Sequence, residues 1–199
     1  MRITIALPFV LLLLVGPINA RVIVKEQTKF YNVYAKDGKQ LHRKLGRRGP
    51  WRMRRKHAIA STTRSYDIRN VKFAVRGKQC IVTNVDVHMS LTYYYPKWIN
   101  KKKGSKKLQK LWAKFSKELT RHERTHGKFF KESMRLVERE ILGAKEKVST
   151  NCSAMDRNLD KRLKNVNAKG EAKHTAFDKR EKRSSSKIRK LEKAIVKTK

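Results

Sequence analysis

Acidic residues are scarce in this chain: 16 Asp and Glu stand against 52 Lys and Arg, giving a formal net charge of +36 over 199 residues. Cysteine is limited to Cys80 and Cys152, proline to four positions, and no internal repeat is present. Each shortage narrows the field. Two isolated cysteines without a C-x-x-C spacing argue against a zinc site built from thiolates. No long apolar run follows residue 20, which removes a further transmembrane span from consideration. No zinc-finger, helix-turn-helix or aromatic RNA-binding pattern accompanies the positive charge. The basic residues are dispersed, as in Arg47-Arg48, Lys101-Lys102-Lys103 and Lys106-Lys107, and are not gathered into a reading surface. A nucleic-acid partner is therefore not expected. Acidic envelope polymers or an anionic membrane surface are the polyanions that such a charge suits.

The chain opens on a leader-like segment. Arg2 precedes an apolar run from Ile5 to Val15, and Gly16-Pro17-Ile18-Asn19-Ala20 closes it. The run is short for a bilayer span, Pro8 interrupts it, and Ala20 is small enough to precede a cut. Residues 1–20 accordingly read as a signal peptide, with a retained anchor as the competing reading. The expected product is exported, periplasmic or secreted, with one domain over 21–182 and a basic tail over 183–199. Export favours a disulfide between Cys80 and Cys152, against ligation of zinc by the two thiols.

Periodicity then places the elements. Arg21 to Val33 has strand character, Gln40 to Leu45 reads as a short helix, and Ala58–Tyr66 and Val71–Val75 read as strands. The clearest strand is Cys80 to Tyr95, where Val85, Val87, Met89 and Leu91 alternate with Asp86, His88 and Ser90, and Pro96 is expected to end it. From Ser105 to Leu142 apolar residues recur in steps of three and four, through Leu108, Leu111, Phe115 and Leu119 to Phe130, Met134, Val137 and Ile141. Ser105 is a suitable N-cap and Gly143 a suitable stop. A second, highly charged helix is expected from Met155 to Lys182, and the stretch from Arg183 onward reads as a solvated or membrane-surface tail in which Ile188, Leu191 and Ile195 can form one side of a short helix.

Inside the long helix lies His122-Glu123-Arg124-Thr125-His126, an H-E-x-x-H pattern. Two histidines four apart share a helix face, where both ring nitrogens can reach one metal ion, and the glutamate is placed to act as a base. Both histidines fall in phase with the apolar stripe and so aim inward. The whole reads as an α+β fold of zincin-like layout, with a mostly antiparallel sheet from the first half packed on the motif helix and a second C-terminal helix. A zinc-dependent metallopeptidase follows: one Zn2+ on His122 and His126, Glu123 as general base, and a protein or peptide as substrate. The alternative is a noncatalytic basic envelope protein.

Beyond the motif, the order Tyr31-Asn32-Val33, Arg48-Gly49-Pro50, Ala58-Ile59-Ala60-Ser61-Thr62-Thr63, Cys80, Leu91-Thr92-Tyr93, Trp112, Lys117 to Gly127, Cys152 and Phe177-Asp178-Lys179-Arg180-Glu181 carries a resemblance. In that order, over about residues 28–182, the chain resembles the bacterial domain of unknown function 922 family, described as predicted secreted zinc-dependent proteases. The resemblance implies export, the same cysteine pair and a metal-dependent hydrolase of protein. It also puts Asp178, in the family's Phe-Asp pair, first among third ligands. His174, Glu146 and Glu181 stay open as alternatives. Tyr93, Tyr94 and Tyr95 are available to stabilise an oxyanion.

Overall fold

The structure, a computed structural model, describes residues 19–52, 56–147, 152 and 154–198. Of the segment read as a signal peptide, residues 1–18 lie outside the described residues, and Asn19 and Ala20 open the first strand. In chain order the elements are β1 (Asn19–Val33), α1 (Gly38–Arg48), β2 (Trp51–Arg52), β3 (Lys56–His57), β4 (Ser61–Arg76), β5 (Gln79–Trp98), α2 (Lys106–Leu142), β6 (Lys145–Lys147), α3 (Ala154–Glu181) and α4 (Lys187–Val196).

The main sheet has the order β1-β5-β4, with β6 added against the start of β5. The expected mostly antiparallel sheet is met in part. Strands β4 and β6 run antiparallel to β5, whereas β1 runs parallel to it, from Asn19 facing Asn84 to Val33 facing Trp98. The sheet is mixed because β1 is joined to β5 only through α1, the β2–β3 hairpin and β4. That crossover is long enough for parallel neighbours.

Two other local expectations change. The runs around Tyr66 and Val71 belong to one strand, β4, which irregular register near Asn70 bends without breaking. Asn70 takes a φ of 53°, a left-handed conformation that asparagine tolerates better than most residues. Strand β5 runs past Pro96 to Trp98. Its pairing with β4 stops at Tyr94, so beyond that point one side of β5 has no neighbour that needs a donor, and proline is accommodated.

Helix α2 forms as its periodicity predicts. Ser105 accepts a hydrogen bond from the Leu108 amide at the start, and Gly143 closes the end. Its apolar stripe packs on the alternating face of β5, where Val85, Val87, Met89, Leu91 and Tyr93 are buried with Phe115, Met134 and Val137. Helix α3 then lies on α2, and α4 lies on α1 and α2 with Ile195 only 1% exposed. The segment read as a basic tail is basic and also carries this seated helix. The expectation of a solvated or membrane-surface tail is corrected: Ile188, Leu191 and Ile195 do form one side of this helix, and their apolar surface is packed against the core beside α1 and α2. A disulfide joins Cys80 to Cys152. Among the described residues, no helix is long and apolar enough to cross a membrane.

Candidate metal centre

The site is built by two helices meeting beside the end of β5. Helix α2 supplies His122, Glu123 and His126 from its mid-length, and α3 returns His174, Asp178 and Glu181 to face them. On α3 these three residues recur at steps of four and three, one stripe of a helix whose other faces are charged. Close approach has a steric basis at Gly127, next to His126. A Cβ there would sit 2.1 Å from the Tyr93 hydroxyl and 2.9 Å from its ring, so α2 can press on β5 only because this residue is glycine.

Three ligand-type atoms converge. His126 Nε2 lies 3.2 Å from His122 Nε2 and 3.0 Å from Asp178 Oδ1, and His122 Nε2 lies 3.3 Å from the same carboxylate oxygen. His122, His126 and Asp178 thus form a group that can hold a metal ion. Phe177 supports the triangle from below, its ring centroid 4.9 Å from that of His122 and 5.2 Å from that of His126. Burial works against ionisation of Asp178, but hydrogen bonds from His122 and His126 outweigh it and hold the carboxyl well below its usual range. The carboxylate is therefore ready as an anionic ligand.

The outer nitrogens of the two histidines are treated differently. His126 Nδ1 lies 2.7 Å from Nδ1 of His174, so one ring donates to the other. His174 is stacked on His126, and burial first, then the neighbouring His126 charge, pushes its pKa down to about 4. His174 is thus a neutral ring near pH 7, behind His126 and away from the triangle. Glu181 Oε2 lies 3.9 Å from Nδ1 of His122 while accepting from Arg121 at 2.6 Å. The fourth sequence candidate, Glu146, has its backbone in β6 opposite Cys80, at the other end of β5 from the tyrosines; its side chain lies outside the described residues.

Glu123 is 2% exposed, far from the solvated edge a surface glutamate would occupy. Its Oε1 lies 4.0 Å from His122 Nε2, and its other oxygen is 2.8 Å from the hydroxyl of Thr62 on β4. Arg121 pairs with Glu118 and Glu181, and Arg124 pairs with Glu26 and covers the ring of Tyr93. Of the three tyrosines, Tyr93 and Tyr95 lie on the buried face of β5 with rings nearly parallel, and Tyr94 alternates outward under Lys29. The Tyr95 hydroxyl is buried with no hydrogen-bond partner among the described residues, and burial, with Glu123 nearby, pushes its pKa up to about 12.

Sequence reasoning missed the role of Thr62, although it lies within the Ala58 to Thr63 run singled out above. It also missed a cavity of about 160 Å³ beside the triangle, walled partly by α4. Only the spacing of Ile188, Leu191 and Ile195 hinted that α4 has a buried side.

An α+β protein with a buried H-E-x-x-H helix, and an aspartate from a second helix completing a three-residue group that can hold a metal ion, is the class that fold and site define. The chain belongs to the family described as Bacterial protein of unknown function (DUF922), whose model matches residues 28–185. No curated protein and no solved structure is matched by the chain.

Proposed function

We propose that this protein is an exported zinc-dependent peptidase. The observation that carries the reading is the triangle of His122, His126 and Asp178, with sides of 3.2, 3.0 and 3.3 Å and the buried Glu123 beside it. Tetrahedral zinc, with bonds of about 2.0–2.1 Å, holds its ligand atoms about 3.3 Å apart, so the donor set and its spacing fit that ion. Two neutral imidazoles and one carboxylate are also the ligand chemistry zinc favours at hydrolytic centres. Zinc in such a site supplies Lewis acidity, polarising a carbonyl and acidifying water.

The chain's own residues supply the remainder. Glu123 takes the proton of the attacking water and delivers it to the leaving amine, so that the peptide bond breaks without a charged nitrogen leaving. Thr62 donates to Glu123 and fixes which carboxylate oxygen faces the reacting atoms. The Tyr95 hydroxyl, buried and protonated, is a donor for charge developing on the carbonyl oxygen. His126 donates through Nδ1 to His174, which leaves its Nε2 lone pair free for the ion; Glu181, held by Arg121, faces the outer nitrogen of His122. The disulfide and the leader-like N-terminal sequence support export to an oxidising compartment, periplasmic or extracellular. The excess of positive charge supports a second property, attachment to acidic envelope polymers or an anionic membrane surface.

A metal analysis combined with an activity assay tests the reading. The purified protein should carry close to one zinc per chain, and a His122→Ala, His126→Ala variant should carry none. Glu123→Gln should keep the metal and its salt-sensitive binding to polyanions, while hydrolysis of unfolded protein falls by a factor of about 1,000 or more. A parent protein that holds polyanions but binds no zinc and cleaves no peptide would refute the proposal in favour of a noncatalytic envelope protein.

A further inference from the structure

Beside the metal triangle lies the cavity that α4 helps to close. Its floor and walls are chiefly apolar, from Ile59, Phe115, Leu119 and Ile188, and His122 and Asp178 form the side facing the site. Helix α4 begins after residue 185, where the match to the family model ends. It is held in place by specific contacts: Lys187 to Glu118 at 2.6 Å, His42 to Glu192 at 2.9 Å, and the Gly38 amide to the Thr198 carbonyl at 2.9 Å.

We infer that this cavity is a specificity pocket, and that α4 makes the protein select peptides with a bulky apolar side chain, such as leucine or phenylalanine, next to the scissile bond. The inference rests on the hydrolase reading and deepens it. Three observations carry it. The cavity shares His122, Glu123 and Asp178 with the candidate metal centre, so a residue bound at the centre has its neighbouring side chain at the pocket mouth. A volume of about 160 Å³ suits one large side chain and not a drug-sized ligand. Arg189, paired with Glu192 at the wall, keeps its Nε buried with no partner among the described residues, a donor that a peptide carbonyl can satisfy.

A binding experiment that needs no turnover tests this. The zinc-loaded Glu123→Gln protein is titrated with leucine hydroxamate and alanine hydroxamate, two metal-chelating probes that differ by three carbons. At the usual gain per buried methylene, the leucine probe should bind roughly 10–50-fold more tightly. Ile188→Trp, which fills the pocket, should erase that preference, and Ile188→Ala should keep it. Equal binding of the two probes, or a preference untouched by Ile188→Trp, overturns the inference; if such a protein still cleaves peptides, the hydrolase reading stands alone. Discrimination between the probes by a protein that cleaves no peptide supports the pocket and sinks the hydrolase reading.

Discussion

His174 illustrates how the same residue type serves two ends a few ångströms apart. His122 and His126 turn their Nε2 atoms to the triangle, while His174 meets the back of His126 at 2.7 Å and is kept neutral by burial. A neutral ring can donate or accept at Nδ1, so an ion on Nε2 of His126 would place that ring's proton on Nδ1 with His174 as its acceptor. Replacing it with a ring of similar size but no nitrogen keeps the ring contacts with His126, Phe129 and Phe130 and deletes the hydrogen bond to His126. His174→Phe should therefore weaken zinc binding about 10–100-fold with little change in melting temperature of the metal-free protein. Competition with a fluorescent chelator measures the affinity. An unchanged zinc affinity would reduce His174 to packing. In the sequence His174 and Asp178 are one helical turn apart, and only the family's Phe-Asp pair put Asp178 first. Only the direction from which α3 meets α2 separates ligand from support.

At the level of elements, the site depends on how closely α2 lies on β5 and how α4 is held against α2. Gly127 costs a helix about 1 kcal/mol relative to alanine, and nothing in the sequence explains it. The fold does, because the buried Tyr93 occupies the place of a Cβ. Gly127→Ala should destabilise the protein by about 1–3 kcal/mol through overpacking, and Tyr93→Phe, by removing the nearest atom, should recover part of that loss. Denaturant unfolding of the two single variants and the double variant reads the coupling; strict additivity would show that the two groups do not collide. The seat of α4 should respond to pH. The hydrogen bond from Lys187, followed by that from Arg121, holds the Glu118 carboxyl below its ordinary 4.5. A depressed folded-state value means that the stabilisation is fully present above about pH 4.5 and is lost as pH falls through the lowered value. Glu118→Gln should cost about 1–2 kcal/mol at neutral pH. The difference in melting temperature from the parent should then narrow by pH 3. Helix α2 was legible because burial imposes its period on a long stretch of sequence. The parallel partnership of β1 was not, since alternation along a strand is the same whichever way its neighbour runs. The docking of α3 was legible in part, because its sparse apolar residues Leu159, Leu163, Val166 and Phe177 lie on the side that packs inward.

Across the whole molecule, the disulfide and the candidate metal group lie at opposite ends of α3. Cys152 precedes the helix and ties it to Cys80 at the start of β5, while Asp178 lies about 36 Å further along α3 at the usual helical rise. The cysteine pair was expected from export and from the family's order of motifs. Its mechanical relation to the site was not, because it requires knowing that α3 runs back along α2. A bridge between residues 72 apart in sequence lowers the entropy of the unfolded chain by about 4 kcal/mol in the loop-closure model. For a domain of this size, replacing both cysteines with alanine should lower the melting temperature by about 10 °C. Zinc adds stability in proportion to the logarithm of its concentration over its dissociation constant, provided that it binds the folded chain alone. Two constraints so far apart, sharing no partner, should act additively. The increase in melting temperature on adding zinc should therefore match in the parent and in the Cys80→Ala, Cys152→Ala variant once it is expressed as free energy. A markedly smaller increment in the variant would mean that the disulfide positions Asp178 through the length of α3, and that the site is not assembled by the local packing of α3 on α2.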